Sequence, residues 1–505
     1  MPGKTIVYQI LPRLWGNLSK PVKGGSLKQN GCGRFSSLDQ ASLDYLHVRL
    51  GVTHVWLTGI IRHACGEEVS GGWAKGLAGS PYAICDYFDV NPYLADKKAE
   101  RLDEFKSLIN RIHASGMKVI IDFVPNHVAR NHTPYFGGED DKSVHWKAEN
   151  DFFYYPGEKL RLPFDSDYEE MPARASGNAF TASPGINDWY ETVKLNYCDF
   201  HTPTWDKMAR VLSYWCSIGV DGFRCDMVEL IPWQAMQWLI ATTREAYPDT
   251  IFIAEVYQTS LYRLYSKEVG FDYLYDKSGL YDTLHDIITR GEPAGRISGV
   301  WQMLGDLQSG MLNFLENHDE QRIASDFFAG SAERSLAALH VSLLLNTAPF
   351  MLYFGQEAGE RGMDEEGFSG LDGRTTIFDW WSPSAIKALY TYIHSGQGLD
   401  SDRSALLERY ESLLAASQEP VFSEGLTYDL CYCNTSSPGF NPDRHFIFLR
   451  SFKGETALVA ANFSSDDACM EITIPEHASE YLGIKKFTQT VKVCVKAYDG
   501  AVIRL

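Results

Sequence analysis

Four short segments carry the residues whose types and spacing suit chemistry: Asp122-Phe123-Val124-Pro125-Asn126-His127, Gly222-Phe223-Arg224-Cys225-Asp226, Ile253-Ala254-Glu255 and Asn317-His318-Asp319. Each runs from an apolar stretch of strand character into polar side chains, as expected where a strand delivers a functional group at its carboxyl end. Strand side chains alternate sides, so an inward Asp226 brings Arg224 inward as well and sends Phe223 and Cys225 outward. Singly, an Asp or Glu at a strand end is more often a cap or a solvated loop residue. Together, three carboxylates (Asp226, Glu255, Asp319), two histidines (His127, His318) and Arg224 at one mouth have little structural justification, because like charges repel and buried charges cost stability. Such a set suits a reaction in which positive charge develops.

These segments need a frame that brings strand ends together. Short apolar runs alternate with helix-like stretches over most of the chain. The strands expected are Thr5 to Ile10, His54 to Leu57, Val119 to Phe123, Gly222 to Cys225, Phe252 to Glu255, Phe271 to Leu274, Asn313 to Leu315 and Phe350 to Tyr353. Helices are expected at Leu102 to Ala114, Thr204 to Ile218 and Ala332 to Leu345, where apolar residues recur at helical spacing. Eight such units predict an α/β fold, a closed (β/α)8 barrel rather than an open sheet. Two regions break the rhythm. After the third strand comes a long insert rich in aromatics, Gly, Pro and Asp, too long for a plain connection. Beyond about Gln418 the chain alternates in strand fashion, as at His445 to Phe452, Glu455 to Asn462 and Thr488 to Val495. The expected domains are therefore a barrel from 1–127 and 194–418, an inserted domain from 128–193, and a C-terminal antiparallel β-sandwich from 419–505.

The formal charge of −19 argues against a protein that tracks nucleic-acid phosphates. The longest apolar stretch, Leu339 to Phe354, is interrupted by His340, Ser342, Asn346 and Pro349, so no membrane-spanning helix is expected. The start reaches Tyr8, Gln9 and Pro12 before a secretory leader's apolar core could form, and reads as a structural strand. Ten cysteines are scattered, some within strand-like runs (Cys225, Cys494), which leads us to expect reduced thiols and a cytoplasmic protein. Cys431 and Cys433 lack the second ligand pair of a zinc site.

The four segments, in their order and separations, resemble the signature regions of the α-amylase family of glycoside hydrolases (glycoside hydrolase family 13). Val7-Tyr8-Gln9-Ile10, Ser80-Pro81-Tyr82, Asp86-Tyr87 and Phe354-Gly355-Gln356-Glu357 agree, and the resemblance spans essentially the whole chain. It implies retaining cleavage of α-glucosidic bonds in neutral glucans or malto-oligosaccharides through a covalent glycosyl-enzyme. By this resemblance Asp226 is the nucleophile, kept ionised by Arg224, and Glu255 is the acid and then the base, with the two carboxyls about 5 to 5.5 Å apart. Asp319 would grip ring hydroxyls and favour the distorted sugar, His127 and His318 would donate to the same ring, and Tyr82 would stack beneath it. The same intermediate would also serve a glucanotransferase or a sugar-isomerising enzyme. A non-catalytic binding protein on this fold is disfavoured because all three carboxylates are present.

The chain departs from the family in three places. Many α-amylases hold calcium between barrel and insert, using the Asn of the third-strand segment and an Asp before the fourth strand. Here Asn126 is present, but the second motif reads Val193-Lys194-Leu195-Asn196, and an ammonium cannot coordinate a cation. The expectation is no calcium at that place, with the Lys194 head group occupying it and bonding Asn126 and nearby carbonyls. Glu229 and Leu230 replace a Lys-His pair that helps hold glucan on the leaving-group side. Met227, next to the nucleophile, marks neither an α-1,4 nor an α-1,6 specialist. The aromatics of the insert are either a small core or stacking platforms.

Overall fold

The computed structural model describes residues 3–132, 135–136, 139–140, 151–198, 200–368, 370–484 and 489–505. Eight parallel strands close into a barrel: β1 (Ile6–Ile10), β2 (His54–Leu57), β3 (Lys118–Phe123), β4 (Gly222–Cys225), β5 (Ile251–Ala254), β6 (Tyr273–Tyr275), β7 (Met311–Phe314) and β8 (Phe350–Tyr353). Neighbours pair in chain order, and β1 closes the ring on β8 with Ile6 opposite Phe350 and Gln9 opposite Tyr353. The barrel expected from the sequence is the barrel observed, with β6 and β7 displaced by one or two residues from their expected spans. Every residue of β1, β2, β4, β7 and β8 is buried, since helices cover the outer face and the inward side chains fill the barrel.

The helix Pro203–Ser217 illustrates how sequence aims β4, the strand that carries Arg224. Pro at its first turn gives up no needed donor, and Trp205, Met208, Val211, Leu212 and Trp215 form one buried face against the barrel. Gly219, at a φ of 106°, then turns the chain back into β4, a conformation that a side chain would strain. The helix Leu336–Leu344 is mostly apolar because it is covered all round: all nine residues, His340 and Ser342 included, are buried between β7 and the C-terminal sheet. This accounts for the long apolar stretch. Among the described residues no helix is long and apolar enough to cross a membrane.

The C-terminal region contains a four-stranded antiparallel sheet, in the order β9 (Leu426–Asp429), β10 (His445–Phe452), β11 (Glu455–Asn462) and β14 (Gly500–Arg504), and a ribbon of β12 (Ala468–Ile474) with β13 (Gln489–Val495). Lys453 and Gly454, both at positive φ, make the two-residue turn between β10 and β11. Buried Arg450 of β10 donates to the carbonyls of Leu344 (2.8 Å), Phe422 (2.9 Å) and Gly425 (2.7 Å), tying this sheet to the barrel's last helices. Thr488, expected to start β13, lies outside the described residues, as do 133–134, 137–138 and 141–150 of the insert.

One expectation is overturned here. Cys469 and Cys494 are not reduced thiols but a disulfide, because β12 and β13 set them directly opposite each other with Cα atoms 4.1 Å apart. Their 25-residue separation gave no hint of that pairing. The other eight cysteines are free.

Candidate active site

The carboxyl ends of β2 to β5, β7 and β8 surround a cavity of about 620 Å³ that Tyr82, His127, Asp226, Glu255 and Asp319 all line. Its floor is organised by Arg224, whose side chain is fully buried. One amino group bonds Asp226 Oδ1 at 2.7 Å, and the other stands 2.6 Å from Glu255 Oε1 and 4.0 Å from Asp319 Oδ2. Asp122 Oδ1 is 3.6 Å away. The period-two alternation of β4 thus does bring Arg224 and Asp226 to one face. The guanidinium is in turn caged by the rings of Trp56, Tyr82 and Tyr275, each about 5.5 Å from its central carbon, and its Nε donates to Tyr275 Oη at 3.2 Å.

One guanidinium therefore faces four carboxyls. Burial, followed by the Glu255 carboxylate, pushes the Asp226 carboxyl above its ordinary range, and Arg224 opposes this without cancelling it. Burial likewise pushes Asp319 up to about 7, with Glu255 adding to it, and Asp122 up to about 6. Arg224 thus restrains the rise at Asp226 rather than holding that carboxyl low, as the sequence alone suggested. The protons of such a cluster belong to the set, so the charge on each member depends on the others.

Glu255 has donors on both oxygens. The Tyr257 hydroxyl donates to Oε1 at 2.8 Å, and the backbone N–H of Met227 to Oε2 at 2.7 Å. Met227 reaches that position only by adopting a left-handed conformation (φ 45°, ψ 46°), rare for a side-chain-bearing residue and often found at functional turns. Asp319 keeps about 30% of its side chain exposed to the cavity. Its own main-chain N–H bonds Asn317 Oδ1, and Arg374 donates to its carbonyl at 2.6 Å, fixing the turn after β7.

His318 is buried beside it, 3.1 Å from Asp319 Oδ2. Gln9 of β1 donates its amide to His318 Nδ1 at 2.8 Å, which leaves the ring proton on Nε2, facing Asp319 and the Tyr82 hydroxyl. Burial and the positive Arg224 keep this histidine neutral. The Tyr82 ring stacks on His318 at 5.2 Å and lines the cavity, so it packs against its neighbour as well as presenting surface to a ligand. His127 takes the Asn126 amide at Nδ1 (3.1 Å), and burial with Lys194 and Lys75 nearby lowers it to about 3, a neutral ring.

Of the residues that sequence reasoning named, Tyr82, His127, Asp226, Glu255 and Asp319 line one cavity, while Arg224 and His318 lie fully buried behind them. Those it passed over are Tyr257, the Met227 N–H, the aromatic cage, and Asp122 as a member of the carboxyl cluster. Tyr257 was findable: it follows Glu255 by two residues, the interval that returns a side chain to one face. The insert contributes Trp189 to the cavity wall and buries Phe152 and Tyr154, so its aromatics serve both as wall and as core.

A family model described as "Alpha amylase, catalytic domain" matches residues 29–407, most of the chain. The chain belongs to the α-amylase family. Its relatives include "Alpha-amylase 3" of Dictyoglomus thermophilum, 24% identical over 394 residues that cover 74% of this chain and 70% of that protein. A cyclomaltodextrinase of Geobacillus thermopakistaniensis is 23% identical over 487 residues, 93% of this chain and 70% of the other. Among solved structures, an α-amylase from Lactobacillus plantarum is similar with a TM-score of 0.64 at 18% identity, covering 99% of this chain and 98% of that one, a likeness of fold. The chain is accordingly a glycosidase of this family.

The place where many family members bind calcium has a different chemistry here. The Lys194 ammonium, at the end of the strand that closes the insert (Thr192–Lys194), donates to Asn126 Oδ1 and, at 2.6 Å, to the carbonyl of Leu230 in the loop after the candidate nucleophile. Burial lowers this amine to about 8. Among the described residues no group of three or more His, Cys, Asp or Glu is arranged to hold a metal. A divalent cation at Asn126 would have to displace an ammonium already bonded to two oxygens, so the donor set does not fit calcium.

Proposed function

We propose that the protein hydrolyses α-glucosidic bonds of malto-oligosaccharides or related α-glucans with retention of configuration. One observation carries the reading: a single buried guanidinium holds Asp226 and Glu255 side by side, with Asp319 at its edge, under one sugar-sized cavity. Relatives named α-amylase and cyclomaltodextrinase support a glucan as substrate.

In this reading Asp226 attacks the anomeric carbon as the bond to the leaving oxygen breaks, and that oxygen takes its proton from Glu255. Water then attacks the same carbon and gives a proton to Glu255, and the ester bond to Asp226 breaks. Asp319 and the neutral His318 and His127 hold ring hydroxyls, and Tyr82 supplies an apolar face to the pyranose. The crowded negative charge favours the oxocarbenium-like transition state, whose positive charge it matches. We further propose that Lys194 replaces calcium in joining barrel and insert, so that activity survives exhaustive chelation; loss restored only by calcium would refute this.

Incubation with maltotriose tests the activity itself. The expected products are glucose and maltose alone. Oligomers longer than the substrate would show that the intermediate passes to sugar acceptors, making the protein a glucanotransferase.

A further inference from the structure

At the position where a cation would have been expected to meet the glucan, Glu229 does something else. Its half-buried carboxylate turns away from solvent and accepts two successive backbone N–H groups, those of Tyr257 and Gln258, each at 3.0 Å. Glu229 stands in the turn after β4 (Val228–Leu230), and Tyr257 and Gln258 belong to the loop after β5, so this carboxylate clamps the two loops that carry Asp226 and Glu255. The clamp holds Tyr257 where its hydroxyl meets Glu255 Oε1 at 2.8 Å. The same turn begins with Met227, whose strained backbone presents its N–H to Glu255 Oε2.

The chemistry of these partners differs. Arg224 and the Met227 N–H can only donate, whereas a tyrosine hydroxyl both donates and accepts. Tyr257 is therefore the partner of Glu255, among those described, that suits both its forms: it donates to the carboxylate and accepts from the acid. We propose that Glu229 is a positioning residue for Glu255, acting through Tyr257, which orients the carboxyl and holds its proton on Oε1 until the leaving-group oxygen takes the hydroxyl's place. The inference rests on the reading of Glu255 as the acid of the glycosidase reaction, and deepens it.

A leaving group that needs no proton separates this role from a general structural one. Fluoride departs from α-maltosyl fluoride with little acid assistance, whereas the sugar leaving from maltotriose requires protonation. Wild type, Glu229→Gln and Tyr257→Phe are compared by kcat/KM on both substrates, with thermal unfolding of each variant as the control for folding. The amide of Glu229→Gln retains one acceptor oxygen for two N–H groups, and Tyr257→Phe keeps the ring while deleting the hydroxyl. Both variants should lose about 100-fold on maltotriose, the scale of a misplaced proton donor, and less than about 3-fold on the fluoride, where that donor contributes little. Equal losses on the two substrates, or none on either, would overturn the proposal. Wild-type protein inactive on both would instead overturn the glycosidase reading beneath it.

Discussion

Two of the guanidiniums that this molecule buries against carboxylates, those of Arg322 and Arg224, have opposite surroundings. Arg322 bonds Glu316 at 2.9 Å, the Thr375 hydroxyl at 2.8 Å and the Phe354 carbonyl at 2.9 Å, while the second Glu316 oxygen takes the Ile323 N–H. Neither side chain of that pair has any exposed surface. Arg224 faces Asp122, Asp226, Glu255 and Asp319, and the last three of these line a cavity. A closed pair is costly to break, because removing one partner strands the other. An open cluster with excess negative charge is costly to the resting protein and favourable to a ligand that becomes positive, which is how the two sites can be told apart without reference to any relative.

The largest effect is expected at Asp226, the proposed nucleophile. Asp226→Asn should lower kcat on maltotriose by roughly 10⁴-fold, the scale of losing a nucleophile, and leave the thermal midpoint unchanged or raised, because it removes one of the crowded charges. A variant that kept near-normal turnover, or that unfolded, would place Asp226 with the structural group instead. At the other guanidinium, Arg322→Met should cost about 3 kcal/mol or more of stability by stranding a buried Glu316, while the protein that remains folded keeps kcat within about 3-fold. Denaturant unfolding and turnover per folded molecule read the two effects separately.

The smallest effect concerns pH. Asp319 is raised to about 7 by burial and by Glu255. A carboxyl raised in the folded state contributes stability that is complete below its unfolded pKa of about 4 and is lost as pH rises through 7. Asp319→Asn escapes that loss, so its midpoint should exceed wild type by a few degrees at pH 8, and the difference should shrink steadily as pH falls from 7 toward 4. A difference independent of pH would show that Asp319 ionises without cost, contrary to the crowding described above.

Where a property depends on one strand's own alternation, the sequence made it legible. The barrel strands come within two residues of their expected spans, and Arg224 shares a face with Asp226 because β4 repeats every second residue. What escaped depends on two loops meeting. The Cys469–Cys494 pair needs the register of β12 on β13, and the clamp of Glu229 on the Tyr257 and Gln258 amides needs the turn after β4 to reach the loop after β5. Neither contact has a period that could be read along the chain. Lys194 falls between these cases: its charge argued against calcium at once, but the Leu230 carbonyl that it holds emerges only in the fold.

The central claim is that Asp226 forms a bond to the sugar. Mass spectrometry of the protein after brief exposure to 5-fluoro-α-glucosyl fluoride, which slows release of a glycosyl-enzyme, tests it directly. One added fluorohexosyl group on the peptide containing Asp226, absent from Asp226→Asn, is the predicted result. A label on Glu255 or Asp319, or turnover that releases the β-anomer with no label at all, would contradict it.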